Sequence, residues 1–172
     1  VYSSTDGDRV TVAWRFGSGS NFSVRGATYS GGAWGSNVLL GSAPTATNNA
    51  HDNVTISGST DGSVVAVAWS RTTSVTPTSD LRVAIITNGV AAPETTVVGL
   101  ASHNAQGAPI GLMVTPDGTS ANAVWLVKNA SSQGAMLASR YVSGAWSATP
   151  TTLAAAAATT NATWGPSLAK SS

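Results

Sequence analysis

The chain has 172 residues, of which 9% are charged and 42% hydrophobic, and its formal net charge is +1. So low and balanced a charge excludes the basic footprint of a nucleic-acid binder and any steering toward an anionic membrane, and the Lys and Arg residues are scattered singly. The absence of cysteine excludes disulfides and thiolate metal sites, and no apolar run approaches the ~20 residues of a membrane-spanning helix.

Taken in chain order, residues 1–5 are extended and lead into Asp6-Gly7. The start at Val1-Tyr2-Ser3 reads as a mature or excised piece. An Asp-Gly pair between extended runs is the strongest short hairpin signal, because a type I′ turn takes positive φ at both central positions. Residues 9–14 (RVTVAW) follow as a strand and 17–21 as a loop; 22–29 form a third strand closed by Gly31-Gly32, and 34–40 a fourth. A long polar connection over 41–52 carries Pro44. The same order returns as 54–60, Asp61-Gly62, 63–69 (SVVAVAW), a loop over 71–80, 81–87, Asn88-Gly89 and 95–100. It returns again as 110–115, Asp117-Gly118, 122–127, 135–142, Ser143-Gly144 and 146–153. The alanine run 154–158 is too short to hold a helix by itself and reads as loop.

Both the Asp-Gly pair and the tryptophan at Trp14, Trp69 and Trp125 step by 55 and then 56 residues, the mark of a repeat architecture. Four short antiparallel strands per repeat, joined by tight turns, describe a β-propeller blade. The expected fold is therefore all-β, with three four-stranded blades at approximately 1–53, 54–109 and 110–165 and a terminal inner strand at 166–172, half of a six-bladed propeller. Blades stack face to face, so a central strand is buried on both sides; this explains the missing alternation in VVAVAW. The tryptophans are expected between blades, where their large area is hidden.

The pattern strand–Asp-Gly–strand–Trp, strand–Gly-Gly or Ser-Gly–Trp, strand resembles the sialidase-like and tachylectin-like propeller repeats along the whole chain. The Asp-box of sialidases separates Asp from Gly by one residue; here the two are adjacent, and that motif is absent.

Closed propellers have about 4–8 blades, so three leave two sheet faces uncovered. Two copies make six, and the expectation is a homodimer closing one ring, with 166–172 latching onto the partner's first blade. The alternative partner is the remainder of a longer propeller chain. Uncovered apolar faces mark interaction surfaces, so self-assembly is one expected role.

The other expected role, placed first, is a non-catalytic, lectin-like binding module with glycan as the leading ligand. The Ser/Thr/Ala/Gly-rich texture is common in secreted or surface proteins of GC-rich bacteria, and the expected location is extracellular or cell-surface. In propellers the functional rim comes from the loops between strands two and three and between blades. Those loops hold His51, Asp52, His103, Asn104, Gln106 and Trp164. Arg15, Arg71 and Lys128 follow their tryptophans by one, two and three residues, which would place three cations at the start of equivalent loops, ready for a carboxylate or sulfate. No metal or cofactor is expected. Catalysis lacks its groups: no Gly-x-Ser-x-Gly elbow or phosphate loop occurs, three of the seven carboxylates are hairpin aspartates, and Glu94 sits in a Pro-Glu-Thr turn away from every tyrosine. A sialidase-type hydrolase fragment is the third reading.

Overall fold

The computed structural model describes residues 1–18, 21–41, 51–73, 78–99, 110–128 and 134–157. All regular structure among them is β, in three antiparallel sheets arranged as three propeller-like blades. Blade one holds β1 (Tyr2–Ser3), β2 (Val10–Ser18), β3 (Asn21–Ser30), β4 (Ala33–Trp34) and β5 (Val38–Gly41). Blade two holds β6 (His51–Gly58), β7 (Val64–Thr73), β8 (Thr78–Thr87), β9 (Val90–Ala91) and β10 (Thr95–Gly99). Blade three holds β11 (Ile110–Val114), β12 (Ser120–Lys128), β13 (Gly134–Val142), β14 (Ala145–Trp146) and β15 (Thr151–Ala157). The terminal stretch 166–172 lies outside the described residues.

Four expectations need correcting. The central strands run longer than their apolar cores, so Gly17, Ser18 and Asn21 extend the β2–β3 ladder and Arg71–Thr73 extend β7. The outer strand of each blade is broken in two, with β4 and β5 both pairing with β3, and likewise in the other blades. Each break is closed by one bond of 2.8 Å: Gly35 N–H donates to Thr28, Ala92 to Ile85 and Ser147 to Arg140. The alanines at 154–157 are strand, not loop, because Gly134 and Met136 of β13 pair with Ala157 and Ala154. Helix nucleation needs several free residues, and a neighbouring strand edge claims these first.

The fourth correction concerns the turns. Gly7, Gly62 and Gly118 have positive φ (78°, 67° and 73°), whereas the aspartate before each does not. Each glycine is instead the fourth residue of its turn: its N–H donates to Ser4, Ser59 or Thr115 at 3.1, 2.9 and 2.9 Å. Glycine at that place suits a type I turn better than type I′. Positive φ at both central residues occurs at the outer hairpins, Gly31-Gly32 (59°, 85°), Asn88-Gly89 (50°, 80°) and Ser143-Gly144 (54°, 88°).

The core sits at two blade junctions. Along β7, Val65, Val67 and Trp69 face blade one, where they meet Val24 and Leu40. The intervening Ala66 and Ala68 face blade three, in a cluster with Ala121, Ala123, Trp125 and Val127. One unbroken apolar run thus serves two cores, and all five of its residues from Val65 to Trp69 are at 1% exposure or less. Trp69 packs against Gly41, where an added Cβ would stand 2.5 Å from the indole. At the turn end, Thr5 N–H donates to the Thr60 carbonyl (3.0 Å) and Thr60 N–H to the Pro116 carbonyl (2.9 Å), tying the three blades in sequence.

Candidate functional site

At the end of the molecule where β2 meets β3, two arginines lie on two phenylalanine rings. The register pairs Arg15 with Val24, Phe16 with Ser23, Gly17 with Phe22 and Trp14 with Arg25. Arg15 and Phe22 are therefore diagonal neighbours on one face of the sheet, and Phe16 and Arg25 on the other. The Arg15 guanidinium stands 4.2 Å from the Phe22 ring centre, and that of Arg25 stands 5.0 Å from Phe16. Such contacts are worth about 0.5–1 kcal/mol at exposed sites and hold each guanidinium plane in place. Phe16 remains 59% exposed. The sequence reading found Arg15 and missed Phe16, Phe22 and Arg25. The available signal was their symmetric placement, Arg-Phe before the loop and Phe three residues ahead of Arg after it.

The neighbouring blade contributes at the same end. β6 begins at His51, and backbone pairing sets His51 opposite Arg71 and Asp52 opposite Ser70. A bulge follows between Asp52 and Thr55, with Asn53 at φ 54°. Bulges of this kind re-aim side chains beside a sheet rim. Arg71 is half-buried, and its Nε has no hydrogen-bond partner among the described residues. Lys128 closes β12 opposite Gly134. The three cations thus stand in strands, short of the loops, at different registers. His103, Asn104, Gln106 and Trp164 lie outside the described residues. Among the described residues no group of His, Asp and Glu is placed to hold a metal ion.

The opposite end is acidic and is explained by its own turns. Thr5, Asp6, Thr60, Asp61, Pro116 and Asp117 line an open cleft of about 400 Å³. Each carboxylate accepts bonds from within its own turn. Ser59 Oγ donates to Asp61 Oδ1 at 2.6 Å, joined by Ser63 N–H (3.0 Å) and Ser63 Oγ (2.8 Å). Ser4 Oγ and Asp8 N–H serve Asp6, and Thr115 Oγ1 with Thr119 N–H and Oγ1 serve Asp117. These bonds favour the ionised form, so all three carboxyls are held below the usual carboxylate range, Asp61 at about 2, with the hydroxyl of Ser59 as the largest cause. A carboxylate tied this way is a turn brace and a poor general acid. Beside the cleft, Tyr2 donates its hydroxyl to the Ser59 carbonyl across the junction, and burial raises its pKa. Its ring packs so closely on Gly58 that an added Cβ there would collide with it.

No protein-family model and no curated protein matches the chain. Among the described residues, no helix is long and apolar enough to cross a membrane.

Proposed function

We propose that this chain is a non-catalytic, extracellular binding module of the tachylectin-like kind, taking an acidic or sulfated glycan at the β2–β3 and β6–β7 end. The observation that supports it is the two stacked arginines at one end of blade one, Arg15 on Phe22 on one face of the sheet and Arg25 on the exposed Phe16 on the other. A guanidinium ordered by stacking loses little freedom when it forks a carboxylate or sulfate, and an exposed phenyl face suits the apolar face of a sugar. On the adjacent blade, the backbone ladder sets His51 opposite Arg71 at the same end.

The test is a glycan array containing neutral, sialylated and sulfated ligands, followed by titration of the best binder. Selective binding of anionic glycans is expected. Arg15→Ala with Phe16→Ala should weaken it at least tenfold, about 1.4 kcal/mol. Silence across the array, or an unchanged affinity in the double variant, overturns the reading.

A further inference from the structure

The side of blade one that faces away from blade two is built like the faces that receive a blade elsewhere in the chain. Val10, Val12 and Trp14 stand one repeat before Val65, Val67 and Trp69, and two before Ala121, Ala123 and Trp125. Alternation along β2 sets them on the face opposite Ala13, which packs toward blade two. The six counterparts are at 3% exposure or less because the preceding blade covers them. Val10, Val12 and Trp14 are only half-buried, and Trp34 and Leu39 of the same blade are 55% and 53% exposed. The edge device is duplicated too. Tyr141 and Trp146, with ring centres 5.4 Å apart, pack on the junction of blades two and three. Tyr29 and Trp34 hold the same arrangement at 5.6 Å with no described blade against them.

The covering surface at both internal junctions is also known: small and branched side chains such as Ala66, Ala68, Leu81 and Val83 at the second. Their equivalents on blade three are Asn122, Val124, Met136 and Ala138. There Val124 is buried, but Asn122, Met136 and Ala138 are half-buried, where Ala66, Leu81 and Val83 are at 4% or below. The chain thus presents a receiving face at one end and a covering face at the other, each less buried than its internal copies.

We infer that blade three of a second copy seats on the Val10–Val12–Trp14 face of blade one, and reciprocally, so that two chains close a six-bladed ring through two identical head-to-tail seams. A head-to-tail contact that closes yields a ring, and six blades lie inside the usual range of about 4–8. The turn-to-turn bonds do not continue across the seam, since Pro116, at the position of Thr5 and Thr60, has no N–H to donate. The seam is held by apolar contact and is insensitive to salt.

Sedimentation or light scattering on the purified chain, over a wide concentration range and at two salt concentrations, tests this. A mass of twice 17.1 kDa is expected in both salts. Trp14→Glu and Ala138→Glu should each yield monomers with the parent's far-ultraviolet β spectrum, and mixing the two variants should restore a weaker dimer through the one intact seam. Trp34→Ser, at an exposed position, serves if Trp14→Glu fails to fold, and should weaken the dimer by a measurable shift in midpoint. A folded parent that stays monomeric overturns the inference, as does one that grows without limit. A dimer untouched by Ala138→Glu overturns the head-to-tail seam in favour of two blade-one faces meeting.

Discussion

Blades one and two place nearly the same side chains on nearly the same strand, Val-Thr-Val-Ala-Trp on β2 and Val-Ala-Val-Ala-Trp on β7. On β7 the valines and tryptophan are at 1% exposure or less; on β2 they are half-buried. Both strands end in an arginine-bearing rim, but β6 pairs along β7 from Val65 to Arg71, whereas β1 pairs only with Val10 and Thr11 of β2. The difference is in the neighbours: β7 lies between two blades and beside a full inner strand, and β2 has a described blade on one side only and an inner strand along Val10 and Thr11 alone. Burial in a stacked-sheet protein is thus a property of the junction, and the same tryptophan is a core residue or a surface residue according to what stands beside it.

The sharpest way to break that comparison is to truncate both tryptophans. Trp69→Ala removes a wholly enclosed indole and leaves a cavity over Gly41, so a loss of about 3–5 kcal/mol is expected in chemical denaturation. Trp14→Ala, measured at concentrations low enough to hold the chain monomeric, should cost about 1–2 kcal/mol, the share that half-burial leaves. Equal losses would mean that β2 is as enclosed as β7.

The turn glycines give a smaller version of the same contrast. Alanine at Gly7 or Gly62 meets the same positive φ and costs about 1–2 kcal/mol at either. At Gly62 the new Cβ also stands 3.0 Å from Arg9 Cβ and 3.2 Å from Ser4 Cβ of blade one, whereas at Gly7 nothing lies within 4 Å. Gly62→Ala should therefore melt below Gly7→Ala, and the reverse order would deny the close approach of the turns.

The smallest effect is one of pH. Folding depresses the Asp61 pKa to about 2, so its bonds add stability above the unfolded value of ~3.9 and lose it as pH falls toward 2. Asp6 and Asp117 shift in the same direction from equivalent bonds. Acid titration of melting temperature should decline through that window, and Ser59→Ala should move the Asp61 midpoint upward by nuclear magnetic resonance. An unmoved midpoint would deny that Ser59 is the main cause.

Much of the candidate site was hidden for a related reason. Arg15 was visible as a cation after a tryptophan, but its contact with Phe22 depends on a diagonal neighbour across a ladder that runs on through Gly17 and Ser18 to Asn21. A Gly-Ser-rich stretch looks like loop by composition, and only strand pairing carries it into the sheet. The Asp-Gly turns show the converse. Their location was plain from the residues, yet whether aspartate or glycine takes positive φ depends on which carbonyl the glycine N–H reaches, here Ser4, Ser59 and Thr115.

By itself the sequence determined the repeat, the all-β class, the position of every Asp-Gly turn and the double burial of VVAVAW, because period and side-chain type act over a few residues. Tertiary structure alone decided the broken outer strands, the pairing of the alanines after Leu153, the stacking of Arg25 on Phe16 and which of three tryptophans remains half-buried. Those outcomes depend on contacts between segments far apart in the chain, and no local pattern encodes the presence or absence of a neighbouring sheet.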